Sequence, residues 1–175
     1  MTGKAGQLRL LHLHSSFAAG GKELRAAKLM NAFGPKVEHT VISAEPEAYG
    51  AAAAIDRSVA VTYPDDFPAL KGRPFPRRLQ KLARAMLGHD LVLTYNWGAM
   101  DAVMAHTVFR DLLTLPPLVH HEDGFNEDEA QRLKPMRNWY RRLALERAQG
   151  LVVPSQRLEA IALKEWQQPR RKVFR

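Results

Sequence analysis

The sequence predicts a doubly wound α/β domain, in which helices cover both faces of a mainly parallel sheet to give three αβα layers. Short apolar runs alternate with helical patterns along nearly all of the 175 residues. Two of these runs, residues 91–93 and 151–153, are apolar at every position, which is typical of strands covered on both faces. A chain of this length buries one core, so we expect a single domain over residues 1–175.

The first half of the chain has clear element boundaries. A strand over residues 9–13 leads through a polar turn and a glycine pair into a helix over residues 22–33, which Gly34 and Pro35 end. A second strand is predicted at 37–42 and a third at 58–61, separated by the alanine-rich surface connection 45–56. Four prolines mark residues 64–76 as a loop, and Leu79, Leu82 and Met86 lie on the apolar stripe of a helix over 76–87.

The second half repeats the alternation. Strands are predicted at 91–93, 118–121 and 151–153, with a further strand beginning at 172–174. Helices are predicted at 98–110, at 126–149 with an allowed break near Pro135, and at 156–166. Ser155 follows Pro154 as the predicted N-cap of the last helix.

Ligands of open α/β sheets bind at the carboxyl ends of the strands. The residues that follow four predicted strands are therefore the candidate site, and three of these four segments are rich in glycine or polar side chains. The segments are residues 14–21, 94–98, 121–124 and 154–155.

The glycine pair Gly20-Gly21 stands where the first helix begins. Glycine lets a phosphate or hydroxyl approach the backbone closely, and the free N–H groups of a helix start favour negative charge. The spacing matches neither the dinucleotide G-x-G-x-x-G pattern nor a P-loop. The turn is thus either an anion-binding mouth or a tight turn without a ligand.

Two other strand ends offer hydrogen-bonding and aromatic groups. Thr94-Tyr95-Asn96-Trp97 can stack on a sugar or base and hydrogen-bond through Asn96, although Trp97 can equally pack a helix onto the sheet. His120, His121, Glu122 and Asp123 can bind sugar hydroxyls and supply a group that titrates near neutrality; alternatively they cap a helix and face solvent.

The first strand carries two histidines on one face. His12 lies deep in the strand and is expected in or near the core, whereas His14 lies at the mouth and can reach a ligand. Nothing in the histidine spacing requires a metal, so no metal site is predicted.

Composition limits the other function classes. The formal net charge of +8 favours polyanions, anionic membranes or diphosphate substrates, but nucleic acid is not expected because no RNA-module signature accompanies the basic stretches. Basic segments 73–84, 134–147 and 170–175 are either solvated faces or a peripheral membrane contact. The sequence has no cysteine, no long apolar run and no signal-peptide core. We therefore expect a cytoplasmic protein, which could also lie at the inner face of the membrane.

Several segments, in order, resemble the N-terminal domain of family 4 glycosyltransferases. The opening strand with Gly20-Gly21-Lys22-Glu23 is similar to the family's "LHV-x-x-x-F-x-x-GG-x-E", and Thr94–Trp97 stands where the family's middle strand ends. Residues 117–124 resemble "VHGEHG", residues 142–155 resemble "E-x-x-x-A-D-x-V-V-x-x-S", and residues 172–175 resemble the strand before the "I-P-N-G" interdomain connection.

The resemblance implies a Rossmann-like domain that forms the acceptor side of a retaining GT-B enzyme. It implies a nucleotide-diphosphate sugar as co-substrate, a glycan or lipid-linked acceptor, no further cofactor, and a C-terminal donor-binding domain absent from this sequence. Asp123 stands where the family usually has its active-site histidine.

The implied roles are as follows. Asp123, assisted by His120 or His121, orients the sugar, Gly20 and Gly21 approach the diphosphate or acceptor, and substrate contacts come from His14, Asn96, Trp97 and Glu122. The chain alone is expected to be inactive. The alternative is a non-catalytic α/β binding module with a basic face for anionic membrane or polyanion.

Overall fold

Seven parallel strands form one sheet in the computed structural model, which describes residues 6–125, 129 and 133–175. The strands in these residues are β1 Leu8–His14, β2 Val37–Ser43, β3 Ala60–Thr62, β4 Leu91–Tyr95, β5 Leu118–His121, β6 Gly150–Val152 and β7 Val173–Phe174. Their order across the sheet is β3-β2-β1-β4-β5-β6-β7. The predicted Rossmann-like α/β fold with a parallel sheet is confirmed.

The strand order reverses between β1 and β4, which lie side by side at the centre of the sheet. Their register pairs His14 with Tyr95, and the β4–β5 register pairs Tyr95 with His121. Ligands of doubly wound sheets bind in the crevice at such a reversal, outside the carboxyl ends of the strands. The three aromatic residues therefore mark the floor of the expected binding edge.

Helices connect the strands and cover the sheet. They are α1 Gly21–Phe33, α2 Pro76–Ala85, α3 Met100–Leu113, α4 Pro135–Ala144 and α5 Gln156–Lys164. Short 3-10 turns precede or follow several of them, such as Trp97–Ala99 before α3 and Leu145–Arg147 after α4. In the described residues, no helix is long and apolar enough to cross a bilayer.

Two apolar clusters lie in the interior. The larger one contains the predicted stripe of α2, with Leu79, Leu82 and Met86 buried against residues of α3 and α4. The smaller one places Ala26 and Met30 of α1 in contact with the first strands. Helices α2, α3 and α4 therefore form one neighbouring group, and α1 packs into a separate cluster.

Local chain signals set several helix ends. The Ser155 hydroxyl accepts a hydrogen bond from the Leu158 N–H at 3.2 Å, which confirms the predicted N-cap of α5. Gly34 ends α1 with a positive φ of 63°, and its N–H donates to the carbonyl of Met30. Glycine adopts that conformation without a steric penalty, so the predicted stop is also confirmed.

The predicted helix over residues 126–149 has the break that was allowed near Pro135, but it ends earlier than predicted. Its first residues, 126–128 and 130–132, lie outside the described residues, and α4 begins at Pro135, whose fixed φ and missing N–H suit the first helical position. The helix ends at Ala144 because the chain turns there toward β6; the Ala144 carbonyl accepts from the Thr107 hydroxyl at 2.5 Å. The third strand also lies later than predicted, at Ala60–Thr62.

Candidate functional site

Four strand ends meet at one edge of the sheet, as the parallel topology requires. The backbone continues the contact beyond the strands: the Asn96 N–H donates to the His121 carbonyl at 2.8 Å, and the Glu122 N–H donates to the Val152 carbonyl at 3.0 Å. The side-chain oxygen of Asn96 then accepts from the Asp123 N–H at 2.7 Å. These hydrogen bonds connect the loops that follow β4 and β5, next to the loop that follows β1.

Asn96 holds an uncommon backbone conformation at this edge, with φ of 58° and ψ of −174°. Few residues other than glycine adopt it, and such conformations concentrate at functional sites. Its carbonyl oxygen is used inside the protein, because it binds the Asp123 N–H. The side-chain N–H₂ group of Asn96 is the part that no hydrogen bond to Asp123 engages, and a ligand contact of Asn96 would use it.

The glycine pair lies at the start of α1, as predicted, but the two glycines differ. A Cβ added to Gly20 would lie 2.6 Å from a carboxylate oxygen of Glu23, whereas a Cβ added to Gly21 would have no protein atom within 4 Å. No side chain caps the helix start. The helix start is therefore open at Gly21, where an anion could approach the backbone, while the carboxylate of Glu23 fills the space beside Gly20.

Asp123 lies across from this helix start and pairs with Arg25 of α1. The Asp123 side chain is only 11% exposed, and its second carboxylate oxygen is buried without a hydrogen-bond partner among the described residues. Gly20, Gly21, Lys22, Arg25 and Asp123, together with Pro154, line an open concavity of about 450 Å³. The structure thus brings the predicted glycines and Asp123 to one surface.

Sequence reasoning missed Arg25. The signal that was available is its position one helical turn after Gly21, which places it on the same side of α1. Its partner is 98 residues away in the sequence, however, so no local pattern indicates the pair.

His120 and Glu122 lie away from that concavity, in a buried charged cluster. The Nδ1 of His120 lies 2.8 Å from the Thr94 hydroxyl, and its Nε2 lies 3.8 Å from a Glu122 carboxylate oxygen. The same Glu122 oxygen lies 3.4 Å from Nε of Arg141. Both predicted site residues are fully buried, so they contact protein groups instead of the open surface.

Arg141 is the centre of this cluster and is itself 1% exposed. Its two terminal nitrogens donate to the carboxylate of Glu129 at 3.2 and 3.0 Å. The guanidinium also lies over the rings of Trp97, Phe125 and Trp166, with distances to the ring centres of 4.8 to 5.4 Å. Arg141 therefore links the end of β5 to the aromatic residue that follows β4.

Trp97 contacts protein groups on its ring. Arg137 also lies over the ring, 4.9 Å from its centre, and Tyr140 meets it edge-on at 5.8 Å. A cavity of about 440 Å³ opens beside Trp97, and its walls are mostly apolar; they include Leu70, Pro74 and Met136. The sequence left open whether Trp97 packs or binds, and the structure places it where it packs and also lines a cavity.

His14 and His121 both stack on Tyr95, one from each of the strands that flank β4. The ring of His14 lies 3.9 Å from that of Tyr95, and the ring of His121 lies 4.8 Å from it. Burial lowers the pKa of His14 from 6.5 to about 3, with His121 and Lys22 acting in the same direction. Burial also lowers the pKa of His121 to about 4. Both imidazoles are therefore neutral near pH 7.

Behind them lies a second layer of buried imidazoles. His12 is fully buried, which confirms the predicted core position, and its two ring nitrogens lie 3.1 Å from the Tyr95 hydroxyl and 2.9 Å from Nδ1 of His39. Burial holds the pKa of His12 well below its ordinary value. In the described part of the chain, no group of three His, Cys, Asp or Glu side chains is placed to hold a metal ion.

Comparison with known proteins agrees with this architecture. The family model described as Glycosyltransferase Family 4 matches residues 19–174. No curated protein matches the chain in sequence. Among solved structures, HepE (Alr3699) from Anabaena, in complex with UDP and glucose, superimposes with a TM-score of 0.63 at 16% identity, over 96% of this chain and 44% of that one.

A glycosyltransferase from Rickettsia africae ESF-5 superimposes with a TM-score of 0.59 at 10% identity, over 96% of this chain and 42% of its own. At these identities the two likenesses show the fold. The chain spans less than half the length of both structures. The matched residues 19–174 contain every candidate site residue except His14, and the chain belongs to glycosyltransferase family 4.

Proposed function

We propose that this chain is the N-terminal, acceptor-side domain of a retaining glycosyltransferase that moves a hexose from a nucleotide-diphosphate sugar to a glycan or lipid-linked acceptor. The observation that carries the proposal is the open helix start at Gly21 facing the Arg25–Asp123 pair at the sheet reversal. The Anabaena structure, which contains UDP and glucose, supports a nucleotide sugar as the donor.

The reaction needs stabilisation of a departing diphosphate. The acceptor hydroxyl forms a bond to the anomeric carbon on the face from which the nucleoside diphosphate leaves, and the hydroxyl proton goes to the leaving group. Negative charge therefore grows on the diphosphate in the transition state. The N-terminal amides of α1, Lys22 and Arg25 line the surface where that charge would be stabilised.

Asp123 would bind the hydroxyls of the transferred sugar through its carboxylate. A bare carboxylate beside a diphosphate is unfavourable, because two negative charges repel each other at short range. Arg25 offsets this repulsion by neutralising Asp123. The Arg25–Asp123 pair would thus do what a single imidazole does in the family members that have histidine at this position.

His120, His121, Glu122 and His14 would then act through their packing. His120 and Glu122 hold the end of β5 through Arg141, while His14 and His121 support the position of Tyr95. The acceptor would enter beside Asn96 and Trp97, where the mostly apolar cavity of about 440 Å³ opens. No metal and no other cofactor is needed for these roles.

The donor nucleotide would bind mainly to a second, C-terminal domain, and the complete enzyme would work in the cytoplasm, at the inner face of the membrane for a lipid-linked acceptor. The isolated 175-residue chain is then inactive and binds nucleotide sugar weakly. Titration calorimetry of this chain with a nucleotide sugar checks the point, and micromolar affinity would show that the donor site is misplaced.

Two substitutions in the enzyme that contains this domain test the site. Gly21→Trp fills the open space at the helix start, and Asp123→Ala removes the sugar-binding carboxylate; each is expected to lower kcat/KM severely. Lys28→Trp, on the exposed surface of the same helix, and Asp111→Ala, from a surface ion pair, are the matched controls. Full activity in both site variants would refute the assignment of the site to Gly21 and Asp123.

A further inference from the structure

Three large apolar side chains are exposed near the starts of α2 and α4. Met136 and Trp139 of α4 are 76% and 57% exposed, and Phe75, directly before α2, is 61% exposed. Met136 and Pro74 line the same cavity, and Phe75 lines the cavity on the other side of the loop, which has a volume of about 820 Å³. Exposed side chains of this size placed together mark an interaction surface.

Cations without acidic neighbours in the sequence lie on both sides of Phe75. The segment between Asp66 and Asp90 contains six Lys and Arg residues and no Asp or Glu. Arg73, Arg77 and Lys81 are exposed, and within the described residues none of the three forms an ion pair. Their charge is available to an outside partner.

The exposed apolar residues lie near the proposed active site. Phe75 and Met136 stand at the N-terminal ends of α2 and α4, and Trp97, which lines the shared cavity, is adjacent in sequence to the Asn96 that holds Asp123. In a parallel α/β sheet the helix N-termini lie at the same edge as the carboxyl ends of the strands. The exposed apolar groups therefore lie on the edge that carries the site.

We propose that Arg73, Phe75, Arg77, Lys81, Met136 and Trp139 form a docking face for an anionic phospholipid bilayer. Aromatic and thioether side chains enter the headgroup region while the adjacent cations bind lipid phosphates, which is how a protein surface rests on such a membrane. A nucleic acid would use the cations and could stack a base on Trp139, but it would leave the exposed thioether of Met136 without a role. The consequence for the acceptor rests on the proposed function: an acceptor in that bilayer would be an anionic amphiphile, reached through the cavity beside Trp97.

Vesicle co-sedimentation of the 175-residue chain tests the docking face. The chain is expected to bind vesicles of phosphatidylcholine with phosphatidylglycerol and to leave pure phosphatidylcholine vesicles unbound. The triple variant Arg73→Glu/Arg77→Glu/Lys81→Glu and the double variant Met136→Ser/Trp139→Ser are each expected to weaken binding at least about tenfold.

Matched control variants distinguish binding through the docking face from a general effect of net charge or surface hydrophobicity. Lys28→Glu/Lys36→Glu/Arg57→Glu makes the same change in net charge on exposed positions elsewhere, and Val108→Ser/Leu112→Ser removes side chains that are 56% and 73% exposed on α3. Both controls are expected to bind like the unmodified chain. Circular dichroism of every variant establishes that it is folded.

Three results would overturn the docking face. One is absent binding to the anionic vesicles, and the second is an equal loss in the controls. The third is loss only in the charge variant, together with equal binding to a single-stranded RNA probe, which would indicate a polyanion surface. Sugar transfer to a soluble acceptor by the enzyme that contains this domain does not depend on the bilayer, so its outcome tests the proposed function separately.

Discussion

The guanidinium of Arg25, in the second turn of α1, forms an ion pair with the carboxylate of Asp123, directly after β5. The two residues are 98 positions apart in the sequence and come from segments that flank different strands. The Asp123 side chain is mostly buried, whereas that of Arg25 is 46% exposed. The pair therefore joins the helix start after β1 to the end of β5 across the binding edge.

Removal of Arg25 is expected to destabilise the domain more than removal of an arginine from an exposed ion pair does. Arg25→Ala leaves the buried carboxylate of Asp123 without its cation, at a cost of about 1–3 kcal/mol in the free energy of unfolding. The control Arg147→Ala breaks the exposed pair with Asp111 and should cost less than about 1 kcal/mol. Urea denaturation measures both. If Arg25→Ala/Asp123→Ala is no more stable than Arg25→Ala, the pair does not explain the loss.

Arg141 is expected to be a main determinant of stability. Arg141→Met removes the cation beside the buried carboxylate of Glu122 and leaves Glu129 with its pair to Arg137, so it should lower the free energy of unfolding by about 3–5 kcal/mol. Arg142→Met changes the exposed neighbour on the same helix and should have little effect. Chemical denaturation followed by tryptophan fluorescence compares them, and similar midpoints for the two variants would contradict the assignment of the cluster.

The stability of the domain is expected to fall as the pH drops below about 6.5. Burial lowers the pKa of His14 to about 3, so in acid the unfolded chain takes up a proton before the folded chain does. His14 therefore contributes its full stabilisation above pH 6.5 and loses about 1.4 kcal/mol per pH unit between pH 6.5 and about 3.

His14→Phe keeps an aromatic ring between Phe17 and Tyr95 and removes the titrating group. Its free energy of unfolding should vary less steeply with pH over the same range, whatever its value at pH 7.5. Urea denaturation at a series of pH values gives both slopes. Parallel curves for the variant and the unmodified chain would show that His14 is not one of the groups responsible.

Gly98 and Gly21 are expected to respond oppositely to alanine. A Cβ at Gly98 would lie 2.6 to 2.8 Å from atoms of Ser15, including its Cα, so Gly98→Ala should cost about 1–3 kcal/mol. A Cβ at Gly21 meets nothing within 4 Å, so Gly21→Ala should be neutral or should stabilise α1 by up to about 1 kcal/mol. Thermal unfolding of the two variants checks this, and equal losses would mean that the space at Gly21 is not open.

Much of the fold was predictable because its signals are local. The stop at Gly34, the cap at Ser155 and the apolar stripe of α2 depend on residues within one or two helical turns, and each is present in the structure. The extent of α4 was not predictable in the same way. At its carboxyl end the Ala144 carbonyl accepts from the hydroxyl of Thr107, which belongs to another helix.

The candidate site shows the same division. The sequence identified the polar strand end after β5 but could not separate its members. Alternation along the strand sends His120 and Glu122 into the cluster around Arg141, while Asp123 faces Gly21 across the concavity. Which side of a strand is covered depends on the helices that pack there, and those contacts are not encoded within the strand itself.

By itself the sequence determined the α/β alternation, the parallel sheet, the glycine helix start and the family resemblance, because each follows from short-range patterns of apolar, glycine and capping residues. Only the tertiary structure decided that Asp123 is paired with Arg25, that Glu122 is buried against Arg141, and that His14 is held neutral beside Tyr95. These relationships join residues far apart in the chain, and their energies come from burial and charge pairing that exist only when the sheet has assembled.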